Sequence, residues 1–161
     1  MAEHILIVYY TRTQNTATIA HLIQKQVGGE LHEVQPVKPY PPAYNDTTRI
    51  AKQEIREGYL PPIVSDLENL DEFHTVFVGT PNWWSTMAPP LATFLSRHEF
   101  TGKTVVPFCT HGGGGLNDIE RDIKKLCAGA KFLEPFVIYG NGGSDAEVQV
   151  KRWMDGIGFD M

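Results

Sequence analysis

Ile5-Leu6-Ile7-Val8-Tyr9-Tyr10 is an unbroken apolar run, the pattern of a strand buried on both faces. The period then changes. Thr16, Ile19, Ala20, Ile23 and Val27 fall on one stripe of a helix predicted over 16–27, which Gly28-Gly29 stops. Leu31-His32-Glu33-Val34 alternates weakly and predicts a short second strand near a sheet edge. Thr75-Val76-Phe77-Val78-Gly79 predicts a third buried strand, with a helix over 88–97 whose face is Leu91, Phe94 and Leu95. Thr104-Val105-Val106-Pro107-Phe108 is a fourth strand and Phe136-Val137-Ile138-Tyr139 a fifth. Between them, Asn117 and Glu120 have capping-box spacing ahead of a helix bearing Ile119, Ile123 and Leu126. Ser144-Asp145-Ala146-Glu147 has the same character ahead of a last helix with Val150, Trp153 and Met154.

Residues 36–62 break the rhythm, because Pro36, Pro39, Pro41, Pro42, Pro61 and Pro62 bracket a polar segment. Asn45-Asp46 predicts the cap of a helix over 47–57 within it. Long connections of this kind are often functional. Five strands alternating with helices make an α/β protein with a parallel sheet covered on both faces. Right-handed crossovers leave few arrangements, and the commonest for five units has strand order 2-1-3-4-5. Strand four is internal in that order. Pro107 has no N–H for a ladder, so it is expected near the strand's C-terminal end, where pairing stops.

The 161 residues correspond to one domain, 1–161, long enough to bury a full core. A formal charge of −5 lacks the basic footprint of a nucleic-acid binder. Cys109 and Cys127 have no zinc spacing, and two lone thiols suggest a reducing compartment. Met-Ala-Glu-His carries no basic n-region, and no stretch approaches the ~20 apolar residues of a membrane span. The expectation is a cytoplasmic protein without nucleic-acid or membrane partners.

Three loops carry the candidate chemistry: 11–16 after strand one, 80–87 after strand three and 109–116 after strand four. In a parallel sheet all three emerge at the carboxyl edge, and strands one and three flank the switch point where ligands bind. The first loop, TRTQNT, sits where a helix begins with unpaired N–H groups and a positive dipole end. Thr11, Thr13, Asn15 and Thr16 add hydroxyl and amide donors, which suits a terminal phosphate held by neutral groups. A polar helix cap alone would need only one of them. The second loop contains the adjacent indoles of Trp83 and Trp84, one of which can stack on a flat ring while the other packs inward. The third, Cys109-Thr110-His111-Gly112-Gly113-Gly114-Gly115, lets the backbone approach the edge of a heterocycle. Cys109 reads as a buried small residue and His111 as structural or solvent-facing rather than catalytic. Together the loops describe a site for a flat, phosphorylated cofactor.

These motifs resemble the flavodoxins, whose phosphate loop reads roughly S/T-x-T-G-x-T. Thr11, Thr13 and Thr16 match its hydroxyl positions and Asn15 precedes the last threonine. Gln14 replaces the glycine, a departure compatible with the loop if this residue has helical φ. The resemblance is closest to a branch with P-x-W-W and T-H-x-G-x-G loops, here Pro81-Asn82-Trp83-Trp84 and Thr110-His111-Gly112-Gly113-Gly114-Gly115, and it covers about 4–156. It implies a flavodoxin-like three-layer α/β/α sandwich with a five-stranded parallel sheet, and FMN as cofactor. The implied cofactor-binding set is Thr11, Arg12, Thr13, Gln14, Asn15 and Thr16 for the phosphate, then Pro81, Asn82, Trp83, Trp84, Thr110, His111, Gly112 and Gly113 for the ring. Tyr40 and Tyr44 would help cover the ring, and Asn82 or a glycine N–H would lie near flavin N5. No side chain is expected to do the redox chemistry itself. The implied function is electron carriage between redox partner proteins. An alternative is an NAD(P)H-dependent reductase of quinones or similar small electron acceptors, which often works as a homodimer. Another is a cofactor-free binding module. Carriers usually crowd acids round the flavin edge, whereas 80–87 and 109–116 contain none and the nearest are Asp118 and Asp46.

Overall fold

The apolar runs pair side by side as parallel strands in the computed structural model, which describes residues 4–64 and 66–159. The elements are β1 (Ile5–Tyr9), α1 (Asn15–Val27), β2 (Glu30–Glu33), α2 (Tyr44–Glu57), β3 (Thr75–Pro81), α3 (Pro89–Ser96), β4 (Thr104–His111), α4 (Ile119–Leu126), β5 (Lys131–Phe132), β6 (Phe136–Tyr139) and α5 (Ala146–Gly156). The sheet runs β2-β1-β3-β4-β5, with β6 also beside β4. The expected order holds, but the outer strand is two short segments. β5 pairs with Thr104-Val105 and β6 with Phe108 to His111.

That split accounts for Pro107, which lies mid-strand opposite Val78 and not at the strand's end. The carbonyls of Lys103, Val105 and His111 all accept hydrogen bonds from the outer side, from Lys131, Leu133 and Gly140. Pro107 has the same parity, so its nitrogen also faces outward. It meets the two-residue gap, 106–107, that neither β5 nor β6 pairs. A residue with no N–H to donate therefore leaves no bond broken.

Side-chain alternation sorts the core into two layers. Ile5, Ile7, Phe77, Val106 and Phe108 pack against Ile19 and Ile23 of α1 and Val150 and Met154 of α5. Leu6, Val8, Val76, Val78 and Val105 pack against Leu91 and Phe94 of α3 and Ile119 and Ile123 of α4. Gly28 ends α1 at φ 73, its N–H returning to the Gln24 carbonyl at 2.7 Å.

The helix starts differ from expectation. α2 begins at Tyr44, three residues before 47, with Ala43 as an uncapped start, and Asp46 lies inside the first turn where it faces the dipole. Neither predicted capping box forms. α4 and α5 start after Asp118 and Asp145 without a side-chain cap. Asn117 bonds elsewhere and Glu120 pairs with Lys124, while a 3-10 turn over Gly143–Asp145 leads into α5.

Gly79 lies within β3, and a β-carbon there would lie 2.1 Å from the Phe108 ring, which is fully buried. Gly79→Ala is expected to lower stability by about 1–3 kcal/mol through overpacking. Urea unfolding checks this: the midpoint falls with unchanged slope.

Candidate functional site

β1, β3, β4 and β6 end together at the carboxyl edge, where a cavity of about 650 Å³ opens. Arg12, Thr13, Asn15, Thr16, Pro81, Asn82, Trp83, Trp84, Thr110, His111 and Gly112 line it, so all three predicted loops meet there. Three predicted residues, Thr11, Gln14 and Gly113, are not among those lining it. Thr11 is buried and its Oγ accepts the Ala17 N–H at 3.3 Å. Gln14 forms the entrance to α1, and the exposed Gly113 donates its N–H to His111 Nδ1 at 2.9 Å.

At one end of the cavity the backbone is rich in free donors. Among the described residues, none of the N–H groups of residues 13–16 has an acceptor. Gln14 does not meet the condition of helical φ under which it would replace the glycine without strain. Its φ of 73 and ψ of −3 are left-handed, at a cost of about 1–2 kcal/mol for a residue with a β-carbon. The reason is the reversal from β1 into α1: a left-handed residue followed by a helical one folds successive N–H groups round a concavity suited to an anion. The Gln14 carbonyl is held by both the N–H and the hydroxyl of Thr18, each at 2.9 Å. Thr16 Oγ lies 2.8 Å from Thr110 Oγ, joining the first loop to the third.

At the other end the wall is aromatic. Trp83 points inward, edge-on to Tyr10 and Tyr40 with centroids 5.3 and 5.1 Å away. Trp84 points outward at 50% exposure, with Nε1 donating to the Thr48 carbonyl at 2.9 Å. Trp84 and Ser85 have φ of 55 and 72, the double left-handed step of a tight reversal closed by two bonds between Trp83 and Thr86. Asn82 fastens this reversal. Its Nδ2 donates to the Gly115 carbonyl and Asn117 Oδ1, both at 2.7 Å, and its Oδ1 accepts the Ser85 N–H at 2.9 Å. The amide expected near a ring nitrogen is thus committed to bridging the second and third loops.

Nothing in the residue pattern pointed directly to Thr47, Thr48 and Ala51 on α2 or to Gly140, and Tyr139 read only as a strand residue; all line the cavity. The i, i+3, i+4, i+7 spacing from Tyr44 was the available signal for α2. Tyr44 itself lines the cavity, whereas Tyr40 lies outside it and donates to Glu54 at 2.6 Å. Burial raises the Glu54 carboxyl above the usual range, and the Tyr40 bond partly reverses that. Among the described residues no carboxylate lines the cavity. Cys109 is buried, as is Cys127, and burial pushes both thiols up to about 12. Among the described residues no group of three or more His, Cys, Asp or Glu is placed to hold a metal, and no helix is long and apolar enough to cross a membrane.

A family model described as Flavodoxin matches residues 4–157. Among solved structures, the chain is similar to a protein described as a flavoprotein from Bacteroides eggerthii DSM 20697, with 31% identity, 96% of this chain and 97% of that one covered, and a TM-score of 0.83. It is also similar to its counterpart from Bacteroides uniformis ATCC 8492, with 28% identity, coverage of 96% and 99%, and a TM-score of 0.84. A flavoprotein in complex with FMN from Lactobacillus acidophilus NCFM shares 22% identity over 94% of this chain and 99% of that one, with a TM-score of 0.71. No curated protein matches significantly.

Two outcomes follow from the geometry. Gln14→Gly relieves the left-handed strain and is expected to raise stability by about 1 kcal/mol, read as a higher urea midpoint. A thiol reagent at pH 8 should label neither cysteine of the native protein and both after unfolding; rapid labelling of native Cys109 would contradict its burial.

Proposed function

The chain belongs to the flavodoxin family, and on that premise we propose that it binds FMN and carries electrons through it. The observation that carries this reading is the row of unpaired N–H groups at residues 13–16, opening into a cavity whose far wall is aromatic. The donor set fits the group. A phosphate needs several converging donors and no neighbouring carboxylate, and a flat ring needs apolar faces with a few backbone contacts.

In this reading the N–H groups of residues 13–16 and the hydroxyls of Thr13 and Thr16 hold the phosphate. Arg12 adds a positive charge at the same end. The walls from Pro81 to Trp84 and from Thr110 to Gly112 enclose the ring, and Trp83, Trp84 and Tyr44 keep water from its faces. Asn82 acts indirectly, fixing both ring-side loops so that their backbone groups are preorganised. Bound FMN supplies the one- and two-electron redox chemistry, and the protein supplies binding, orientation and electrostatics. The carboxylate-free lining favours a second reading, reduction of small acceptors, beside exchange with protein partners.

Retention of FMN is the test. Protein offered FMN and freed of excess should keep a yellow chromophore with perturbed visible bands; a colourless protein overturns the reading. Thr13→Ala removes one hydrogen bond to a charged group and should weaken FMN binding by roughly 10- to 100-fold in fluorescence titration. Loaded protein, reduced with dithionite and freed of it, should pass its electrons to cytochrome c; failure to do so contradicts electron carriage.

A further inference from the structure

The proline-bracketed segment after β2 takes no part in the cofactor reading, yet it builds a second cavity. This one, of about 580 Å³, lies between the end of β1, residues 33–42 and Val64. Its proline-rich wall is fixed by backbone bonds. Pro36 and Ile63 form an antiparallel bridge, and beside it the Val37 N–H donates to the Pro62 carbonyl and the Val64 N–H to that of Gln35, both at 2.8 Å. Pro36, Pro39, Pro41 and Pro42 each hold one backbone angle, and the Pro41 carbonyl accepts the Thr47 hydroxyl at 2.7 Å. The space is thus preformed, as small-molecule sites usually are.

Two polar groups matter within this largely apolar lining. Tyr10 is only 5% exposed and lines this cavity, not the one at the carboxyl edge. Among the described residues its hydroxyl has no hydrogen-bond partner. Nor is it sealed off, since His32 Nε2 is the one fully enclosed side-chain polar atom among them that lacks a partner; the hydroxyl therefore opens into the cavity. Burial raises the phenol above its usual range; Arg12 opposes this, and Glu33 and Glu54 add to it. It stays a neutral hydroxyl with lone pairs to offer. The second group is the exposed Glu33 carboxylate. Among the described residues it has no cation within 4.0 Å, and its listed contact is the Gln35 amide at 3.5 Å. Arg12 also lines the cavity, but its guanidinium donates to the Pro42 carbonyl at 3.0 Å and lies 5.8 Å from the Tyr44 centroid, so it is engaged elsewhere.

From these two groups we propose that the second cavity binds a small primary amine with an apolar body. An ammonium has three donors and no acceptor, which suits one carboxylate and one phenol oxygen without partners. An anion would meet Glu33, and an uncharged apolar molecule would leave both groups unused. The ammonium meets Glu33 and Tyr10, and the body lies on Pro36, Val37, Pro39 and Val64. The inference goes beyond the FMN reading and uses none of the groups assigned to that cofactor.

The test is amide NMR of the full chain at pH 7, titrated with phenethylamine and with phenethyl alcohol, its uncharged counterpart. The amine should move the amide signals of Gln35, Val37 and Val64 and leave those of Gly112 and Gly113 in place. It should bind about three- to tenfold more tightly than the alcohol at low ionic strength, and salt should narrow the gap. Glu33→Gln should lose the preference and keep the affinity for the alcohol. Tyr10→Phe should weaken the amine by about threefold or more, yet leave the urea midpoint unchanged, because the hydroxyl holds nothing within the fold. No binding of phenethylamine, equal affinity for the two probes, a preference that survives in Glu33→Gln, or shifts confined to the carboxyl-edge loops overturns the proposal. A lower urea midpoint for Tyr10→Phe also overturns it, since the hydroxyl would then be bonded inside the protein. Retention of FMN enters none of these outcomes.

Discussion

Parallel pairing in the order β2-β1-β3-β4 is the constraint on which everything else rests. Each parallel strand releases its chain at the carboxyl edge, with backbone groups that the sheet no longer pairs. After β1 the chain turns to α1 on one face, and after β3 it turns to α3 on the other. The two loops therefore part company between adjacent strands and leave a crevice. β4 ends beside them, so the third loop has nowhere else to go. The cavity is a consequence of strand order before any side chain is chosen.

Side chains then decide what the crevice can hold, at the expense of local strain. Among the described residues the non-glycine positions with positive φ are Gln14, Trp84, Ser85 and Asn117, and all four lie in or beside the three loops. Such conformations cost about 1–2 kcal/mol each and persist only where neighbours over-determine them. Those neighbours can be named. Thr18 holds the Gln14 carbonyl twice, Asn82 holds both Ser85 and Asn117, and the Asp118 N–H donates to the Ser85 carbonyl at 2.9 Å. The strain points free N–H groups and aromatic faces into one space.

Much of this was legible in the chain, because burial on two faces writes itself as unbroken apolar runs. The strands, their order, the two helix layers and the convergence of 11–16, 80–87 and 109–116 all follow from such runs. What escaped depends on partners distant in sequence. Glutamine has no preference for positive φ, so nothing local marks Gln14 as left-handed. Asn117 has capping-box spacing, yet Asn82, 35 positions earlier, competes for its side chain and wins. Pro107 looked misplaced until the outer strand proved to be two segments with a gap opposite it. Thr47, Thr48 and Ala51 read as an ordinary helix stripe, since a stripe facing a cavity and one facing a core share the same period.

The central claim is that loop 11–16 is a neutral-donor phosphate pocket coupled to an aromatic ring site. Calorimetric comparison of FMN with riboflavin, which lacks only the phosphate, tests it most directly. Two or more hydrogen bonds to a charged group, each contributing about 1.5–3 kcal/mol, should make FMN bind at least about a hundredfold more tightly. Equal affinity for the two would contradict the account, because the free N–H groups of residues 13–16 would then hold nothing.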